Sequence, residues 1–573
     1  MIPFLWERVP CDEGRTGTLA TALGVDPLIA RLLCIRGLHE PDAAQKFLHP
    51  SIDHLHDPFR LAGMRAAVDR ILAALARNER VAVHGDYDVD GVTSTVILRR
   101  ALEMLGGQVV HFIPERLRDG YGLQVAAIEQ LHADGVGVVI SVDCGIRGVE
   151  AAHRAQELGI DLIITDHHEP DASLPPALAV INPKRHDCSY PDKNLAGVGV
   201  ALKLVQALCQ ETGRSRWLPA FIKLAAIGTL ADVVPLIGEN RVIAKLGLEM
   251  LSQGPHKVGL RALLEVAGLE GKAIDSGHVA FMIAPRVNAA GRMCTPEVAA
   301  RLLLAVDETM AGEARELARE LDRENARRQE EEASVLALAR RTVESDPAVG
   351  SRRVLVVSGD GWHRGIIGIV ASKLVDAFHR PTIVLSIEGD VAHGSCRSIP
   401  GFDMLGALEH CAGHLTKFGG HRHAAGLTME ASRMDAFRAQ ITTYGDDKLG
   451  PDDLRPRLRI ESRLRLRQIT GEVAGQMTML APFGAGNPRP LFEASGVEVI
   501  DGPRKLKEKH LKLAVRQEGR VFRAIAWRGA SHETFINEHR GGLDLVFSLE
   551  QNRYQGDTFL ELSIADVREA ENL

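Results

Sequence analysis

No apolar run in this 573-residue chain reaches the ~18 residues of a membrane-spanning helix, which excludes a helical membrane protein. The opening residues Met1-Ile2-Pro3-Phe4-Leu5-Trp6-Glu7 lack the basic-then-apolar layout of a secretory leader. The eight cysteines are scattered without a Cys-x-x-Cys pair, so neither a disulfide frame nor a zinc ribbon is expected, and a reduced, cytoplasmic setting fits best. A positive surplus is also missing: Lys and Arg number 68 against 75 Asp and Glu, a net charge of −7 that argues against a simple phosphate binder. The distribution qualifies that exclusion. Arg455 to Arg528 holds 16 Lys and Arg against 7 Asp and Glu, a local surplus of nine, whereas Gly529 to Leu573 holds 3 against 9. A basic block inside an acidic chain suggests a polyanion-binding surface on one module.

Acidic residues at strand ends are what the chain does have. Val81-Ala82-Val83 runs into His84-Gly85-Asp86-Tyr87-Asp88-Val89-Asp90-Gly91, with a histidine and three carboxylates at alternate positions. Alternate side chains of an extended segment share a face, so these groups can converge where the strand opens into a turn. Carboxylates that close repel one another, and one or two divalent cations are the plainest remedy. Asp143 closes Val138-Val139-Ile140-Ser141-Val142, Asp166-His167-His168 closes Leu162-Ile163-Ile164-Thr165, and Asp232 lies in Gly228-Thr229-Leu230-Ala231-Asp232-Val233-Val234. Singly, each Asp reads equally well as a turn former or helix cap. Jointly they read as four strand ends meeting in the crevice of an open α/β sheet. Oxygen and imidazole ligands suit Mn²⁺ or Mg²⁺ better than zinc.

The same segments resemble the DHH phosphoesterase superfamily. Ile113-Pro114-Glu115-Arg116, Asp119-Gly120-Tyr121-Gly122-Leu123, the Ala284 to Arg292 segment, Gly394-Ser395-Cys396-Arg397-Ser398, Gly419-Gly420-His421 and Ala481-Pro482-Phe483-Gly484-Ala485-Gly486-Asn487-Pro488 narrow the likeness to the RecJ family of bacterial single-strand exonucleases. The resemblance implies two divalent cations, Mn²⁺ or Mg²⁺. His84, Asp88 and Asp143 would hold one, and Asp90, Asp143, His167 and Asp232 the other. His168 would contact the phosphate or protonate the leaving group, and Asp86 would orient water or complete a metal's shell. Ser395 and Arg397, with the backbone of Gly419, Gly420 and His421, would grip a phosphate across a cleft. Arg116, Arg286, Asn288 and Arg292 would hold the strand. The activity implied is 5′→3′ digestion of single-stranded DNA to mononucleotides in repair and recombination. Implied partners are single-strand DNA-binding protein and a RecQ-type helicase, with the enzyme a monomer away from any membrane. Rival readings are a superfamily phosphatase or short-oligonucleotide phosphodiesterase, which would not need the basic module, and a scaffold that has lost its site, which would lack carboxylates.

The organisation expected is α/β. A chain this long holds about three or four domains. An N-terminal helical and loop region (1–68) leads to a doubly wound parallel-sheet DHH domain (69–310), where strands alternate with helices such as Val92 to Leu105 and Gly148 to Leu158. Residues 311–346 contain neither Gly nor Pro beyond Gly312 and favour one long, ion-paired connecting helix. A smaller α/β unit (347–450) follows, the DHH-associated domain by resemblance. Alternating stretches from 451 to 573 suggest a five-stranded barrel of the oligonucleotide-binding (OB) kind. Phe483, Phe522, Trp527, Tyr554 and Phe559 could stack bases there, although a small barrel needs aromatic filling. The cluster His393, His410, Cys411, His414, His421 and His423 fits no common zinc spacing.

Overall fold

The computed structural model describes residues 4–115, 118–120, 122–554 and 557–570, with side chains considered outside 552–558. Two compact units result. One comprises Asp12–Asn325 and Gly475–Arg489; the other comprises Met1–Cys11, Ala326–Ala474 and Pro490–Leu573.

The first unit is built on a five-stranded, fully parallel sheet. Its strands are Arg80–His84, Gln108–Phe112, Val138–Val142, Asp161–Thr165 and Ala179–Ile181, and in sheet order the second lies outside the first while the third to fifth follow on the other side. Every residue of Val138–Val142 is buried, as expected of a central strand covered on both faces. The chain reverses its winding beside Arg80–His84, which leaves a crevice at the carboxyl ends of that strand and Val138–Val142. Helix Val89–Met104 springs directly from the acidic loop, and the Asp88 carboxylate caps it by accepting from Gly91 N at 3.0 Å. Helices Gly197–Glu211 and Pro219–Ala231 pack on it.

Residues Gly475–Arg489 join this unit from far along the chain. The buried Arg241 guanidinium donates to the carbonyls of Phe47 (2.7 Å), Leu480, Met479 and Ala481 (each 3.0 Å). Leu236 N donates to Ala485 O at 2.7 Å, and Arg36 reaches Asn487 Oδ1 and the Pro488 carbonyl.

Helix Ala311–Ser345 is the long connector expected. Ala314, Leu317, Ala318 and Leu321 make a buried stripe at helical spacing in the first unit, while Val335, Ala339 and Val343 make one in the second. Its outer face carries i,i+4 pairs, among them Arg327–Glu331 and Arg340–Glu344.

The second unit contains a five-stranded mixed sheet, ordered Lys417–Gly420, Ala424–Glu430, Val391–Arg397, Thr382–Glu388, Leu355–Asp360, with helix Ile367–Phe378 against it. It also contains the expected five-stranded barrel. Phe492–Leu506, His510–Gln517, Arg520–Ala526, Asp557–Glu569 and Leu543–Tyr554 follow one another around it, and pairing of the last with the first closes it. The strand Leu5–Arg8 runs parallel to Arg457–Ile460, and Arg8 and Arg463 both bind the buried Glu493 carboxylate.

Candidate metal centre

Of the groups that the sequence singles out, the crevice gathers Asp86, Asp88, Asp90, Asp143, His167, His168 and Asp232 into close sets, while His84 lies outside these sets. Three sets of ligand atoms each lie within 4.8 Å of one another: Asp86, Asp88 and Asp143; Asp90, His167 and Asp232; and Asp143, His167 and His168. Asp143 touches two of the sets, and its Oδ1 lies 3.2 Å from His167 Nε2. Strand ends deliver most of these residues, but Asp232 caps the end of helix Pro219–Ala231, which corrects the expectation of a fourth strand end.

Local structure explains each placement. Asp143 leaves its strand with φ at 59°, a left-handed turn that swings the carboxylate into the crevice. A Cβ on Gly197 would lie 2.3 Å from Asp143 Oδ1, so only glycine lets the next helix come this close. That helix turns its first amides to Asp90, whose carboxylate accepts from Gly197 N at 2.7 Å and Val198 N at 2.8 Å. His84 is fully buried with its ring stacked on Phe112, and Cys144 Sγ lies 3.6 Å from its Nδ1. The thiol thus touches the imidazole and belongs to none of the three ligand sets.

Charge in the cluster is poorly compensated by protein groups alone. Burial, and then Asp88, push Asp90 up to about 7; burial, Asp90 and Asp88 push Asp232 up to about 9; burial and four neighbouring carboxylates hold Asp143 well above the carboxylate range. Burial also lowers His84 to about 4 and His167 to about 3, so both rings are neutral and available as ligands. His84 Nε2, Asp143 Oδ1, His167 Nε2 and Asp232 Oδ2 are buried without a hydrogen-bond partner. Orphaned acceptors beside proton-holding carboxylates are what divalent cations would satisfy, and the donor set fits Mn²⁺ or Mg²⁺.

His168 stands apart in one respect. Its Nδ1 lies 2.7 Å from Asp166 Oδ1, and Asp166 also accepts from the amides of Ile146, His167 and His168. Burial, the largest single influence, works against protonation of His168, but the Asp166 bond together with the charges of Asp166, Asp90 and Asp86 outweighs it and holds the imidazole above its ordinary value. The sequence reading places Asp166 at a strand end of the crevice but gives it no role of its own; its hydrogen bond to His168 supplies one.

The substrate residues divide. Ser395 and Arg397 share one face of strand Val391–Arg397, with Arg397 Nη1 3.3 Å from Ser395 Oγ. A Cβ on Gly368 would lie 2.9 Å from that Oγ and 3.1 Å from Arg397 Nη2, so the first turn of helix Ile367–Phe378 abuts the pair. Gly419 and Gly420 end the edge strand Lys417–Gly420 and are exposed with His421. Arg286 is ion-paired: its guanidinium lies 2.8 Å from Asp322 and donates to the Met282 carbonyl, which ties helix Ala284–Met293 to the long helix. Asn288 also acts within the fold, its Oδ1 accepting from Val89 N at 3.2 Å and steadying the acidic loop. Arg292 is half-buried in the last turn of that helix. Arg116 and the Tyr554 side chain lie outside the described residues. Of the other aromatic candidates, Phe522 is buried, Trp527 is exposed, and Phe483 belongs to the first unit.

Carboxylates and neutral imidazoles gathered at the switch point of a parallel sheet define a metal-dependent phosphoester hydrolase of the DHH class. Residues 80–229 match the DHH family, N-terminal domain; residues 351–444 match the DHHA1 domain; and residues 460–566 match the RecJ OB domain. The chain is 38% identical to the single-stranded-DNA-specific exonuclease RecJ of Bacillus subtilis, over 99% of this chain and 71% of that one, and 35% identical to the Escherichia coli enzyme, over 94% and 96%. The crystal structure of Thermus thermophilus RecJ in complex with Mn²⁺ superposes with a TM-score of 0.84 at 32% identity, covering all of this chain and 80% of that one. This chain belongs to the RecJ family.

Proposed function

We propose that the chain is a divalent-cation-dependent exonuclease that removes mononucleotides from the 5′ end of single-stranded DNA. The observation that carries the reading is a cation-demanding centre, with its orphaned buried acceptors, in a chain of this family. Asp86, Asp88, Asp143 and His84 would hold one cation, and Asp90, His167, Asp232 and the shared Asp143 the other. Bound there, the cations supply an activated water and neutralise phosphoryl oxygens. His168, oriented by Asp166 through Nδ1, would contact the phosphate or protonate the departing oxygen. Arg397 and Ser395 grip a following phosphate, and the exposed backbone of Gly419, Gly420 and His421 lets phosphate approach closely. Arg116, Arg286, Asn288 and Arg292 are assigned to the strand, and the barrel to holding it upstream.

Division into residues 1–68, 69–310, 311–346, 347–450 and 451–573, the last lending Gly475–Arg489 to the first unit, work as a monomer in the cytoplasm, and cooperation with single-strand DNA-binding protein and a RecQ-type helicase complete the proposal. Digestion of end-labelled single- and double-stranded DNA with Mn²⁺ or Mg²⁺ tests it. Mononucleotides should appear first from a 5′ label on single strands, and a blunt duplex should resist. A ladder starting from the 3′ end, or equal attack on circular single strands, would overturn it.

A further inference from the structure

A cavity of about 400 Å³ opens beside the metal centre within the first unit. Its walls come from three places: Thr229 to Ala231, Val233, Val234 and Leu236 around the end of helix Pro219–Ala231, the wide-turn helix Val279–Ile283 with the start of Ala284–Met293, and Phe483-Gly484-Ala485. Asp232 of the centre lies between Ala231 and Val233, which both line the cavity, and Asn288, which steadies the acidic loop, lines it too. The cavity therefore opens next to the metal centre, with Asn288 and the two chain neighbours of Asp232 in its wall.

Several independent features converge on it. Phe281 and Val233 are 80% and 69% exposed, the two most exposed large apolar side chains among the described residues, and both line this cavity. Val233 is β-branched yet sits at φ 61°, a strained conformation that persists only where surroundings enforce it. Phe281 rides on a π-helical turn, an irregularity that recurs at functional sites. The third wall is rigidly fastened: Ser276 Oγ donates to Phe483 O at 2.7 Å, and the Asn487 amide donates to the carbonyls of Leu480 and Pro482 at 2.8 Å each.

No charged side chain lines the cavity, so its occupant is neutral and apolar. The occupant also has to be tethered to a phosphate, because the centre lies at the cavity's edge. Resting on the exonuclease reading, we propose that the cavity is a base slot: a nucleobase of the nucleotide whose phosphate lies at the metal centre stacks on Phe281 and is backed by Val233 and the Phe483 segment. Stacking uses the π-face that every base offers, so the slot fixes position without selecting sequence.

The test compares the full-length protein with Phe281→Ala on 5′-phosphorylated single strands carrying one abasic position, moved stepwise inward from the 5′ end. Because Phe281 is exposed, the variant should melt with the wild type. Wild-type kcat/KM should fall on the order of ten-fold for one abasic position, Phe281→Ala should lose a similar factor on intact DNA, and the two losses should not multiply. Wild-type kcat/KM in Phe281→Ala, or multiplying losses, would overturn the slot. Phe281→Trp supplies a reading independent of hydrolysis. Its fluorescence should be quenched by a deoxynucleoside 5′-monophosphate and not by deoxyribose 5-phosphate, and equal response to both refutes the slot. Absence of any nuclease activity in the wild type would instead refute the exonuclease reading, with the fluorescence comparison still deciding the slot.

Discussion

Stripped of divalent cations, the protein should become less stable as pH rises from about 7 to 8.5, a window in which ordinary carboxylates have finished titrating. Unfolded carboxyls release their protons near pH ~4. In the fold, Asp232 is pushed up to about 9 and Asp143 is held well above its ordinary value, both first by burial. The folded state then binds more protons than the unfolded one, and stability falls with rising pH until the folded values are passed. Each retained proton costs about 1.4 kcal/mol per pH unit, so one proton over this window costs about 2 kcal/mol, or about 3 °C in Tm for a unit this large. His168, held above its ordinary value by Asp166, acts in the same direction. Below about 6.5 the sign is opposed, because His84 and His167 are buried neutral and charge on unfolding, so the window lies above it. Saturating Mn²⁺ should reverse the slope, since it binds the deprotonated ligands. Asp143→Asn removes one repelling carboxylate and suits the left-handed backbone at φ 59°, so its metal-free slope should be flatter. The assay is thermal unfolding in chelator at several pH values. A metal-free wild type whose Tm is flat or rising across the window, with the same slope in Asp143→Asn, would refute the electrostatic reading of the centre.

Arg397→Ala should lower kcat/KM at least about ten-fold while the Tm increase produced by Mn²⁺ stays unchanged; coincident loss of that increase would contradict a phosphate role. Arg241→Met should destabilise the first unit by about 3 kcal/mol in urea unfolding, because four carbonyls lose their donor, and a change under about 0.5 kcal/mol would mean the guanidinium is not the fastening. Replacing Arg520 and Arg523, which lie over the Phe522 and Phe559 rings, by Ala should flatten the slope of log affinity against log salt on long single strands by about 0.7 for each phosphate that an arginine neutralises. An unchanged slope would place strand capture elsewhere.

Much of this architecture is legible along the chain, because its signals are local. The all-apolar run Val138–Val142, the alternation of strands and helices, and the Gly-poor stretch of Ala311–Ser345 are each settled within a few turns of chain. The ligand cluster is legible for the same reason: strand ends of a parallel sheet share one edge. What escapes depends on distant partners. Arg286 reads as a free cation until Asp322 is brought to it by helix packing. The basic surplus of the barrel is partly cancelled across strands, with Arg516 on Glu498, Arg465 and Arg467 on Glu518, and Arg463 on Glu493. The Pro482 to Pro488 segment looks like part of the barrel region, yet Arg241 and Leu236 hold it in the first unit. Truncation from Arg455 would therefore remove part of the first unit as well as the barrel.

That late segment also sets a timetable for synthesis. The main body of the first unit has emerged once Asn325 is made, but its last wall, including the carbonyls that satisfy Arg241, arrives only with Gly475–Arg489. At about 5–20 residues per second, the ribosome takes roughly 10–30 s to cover the intervening chain. During that interval Arg241 lacks three of its four acceptors, and the Phe483 side of the cavity beside Asp232 is open. Completion of the catalytic unit is thus scheduled after the DHH-associated region has been translated, so a polypeptide arrested before Arg489 cannot form the whole site.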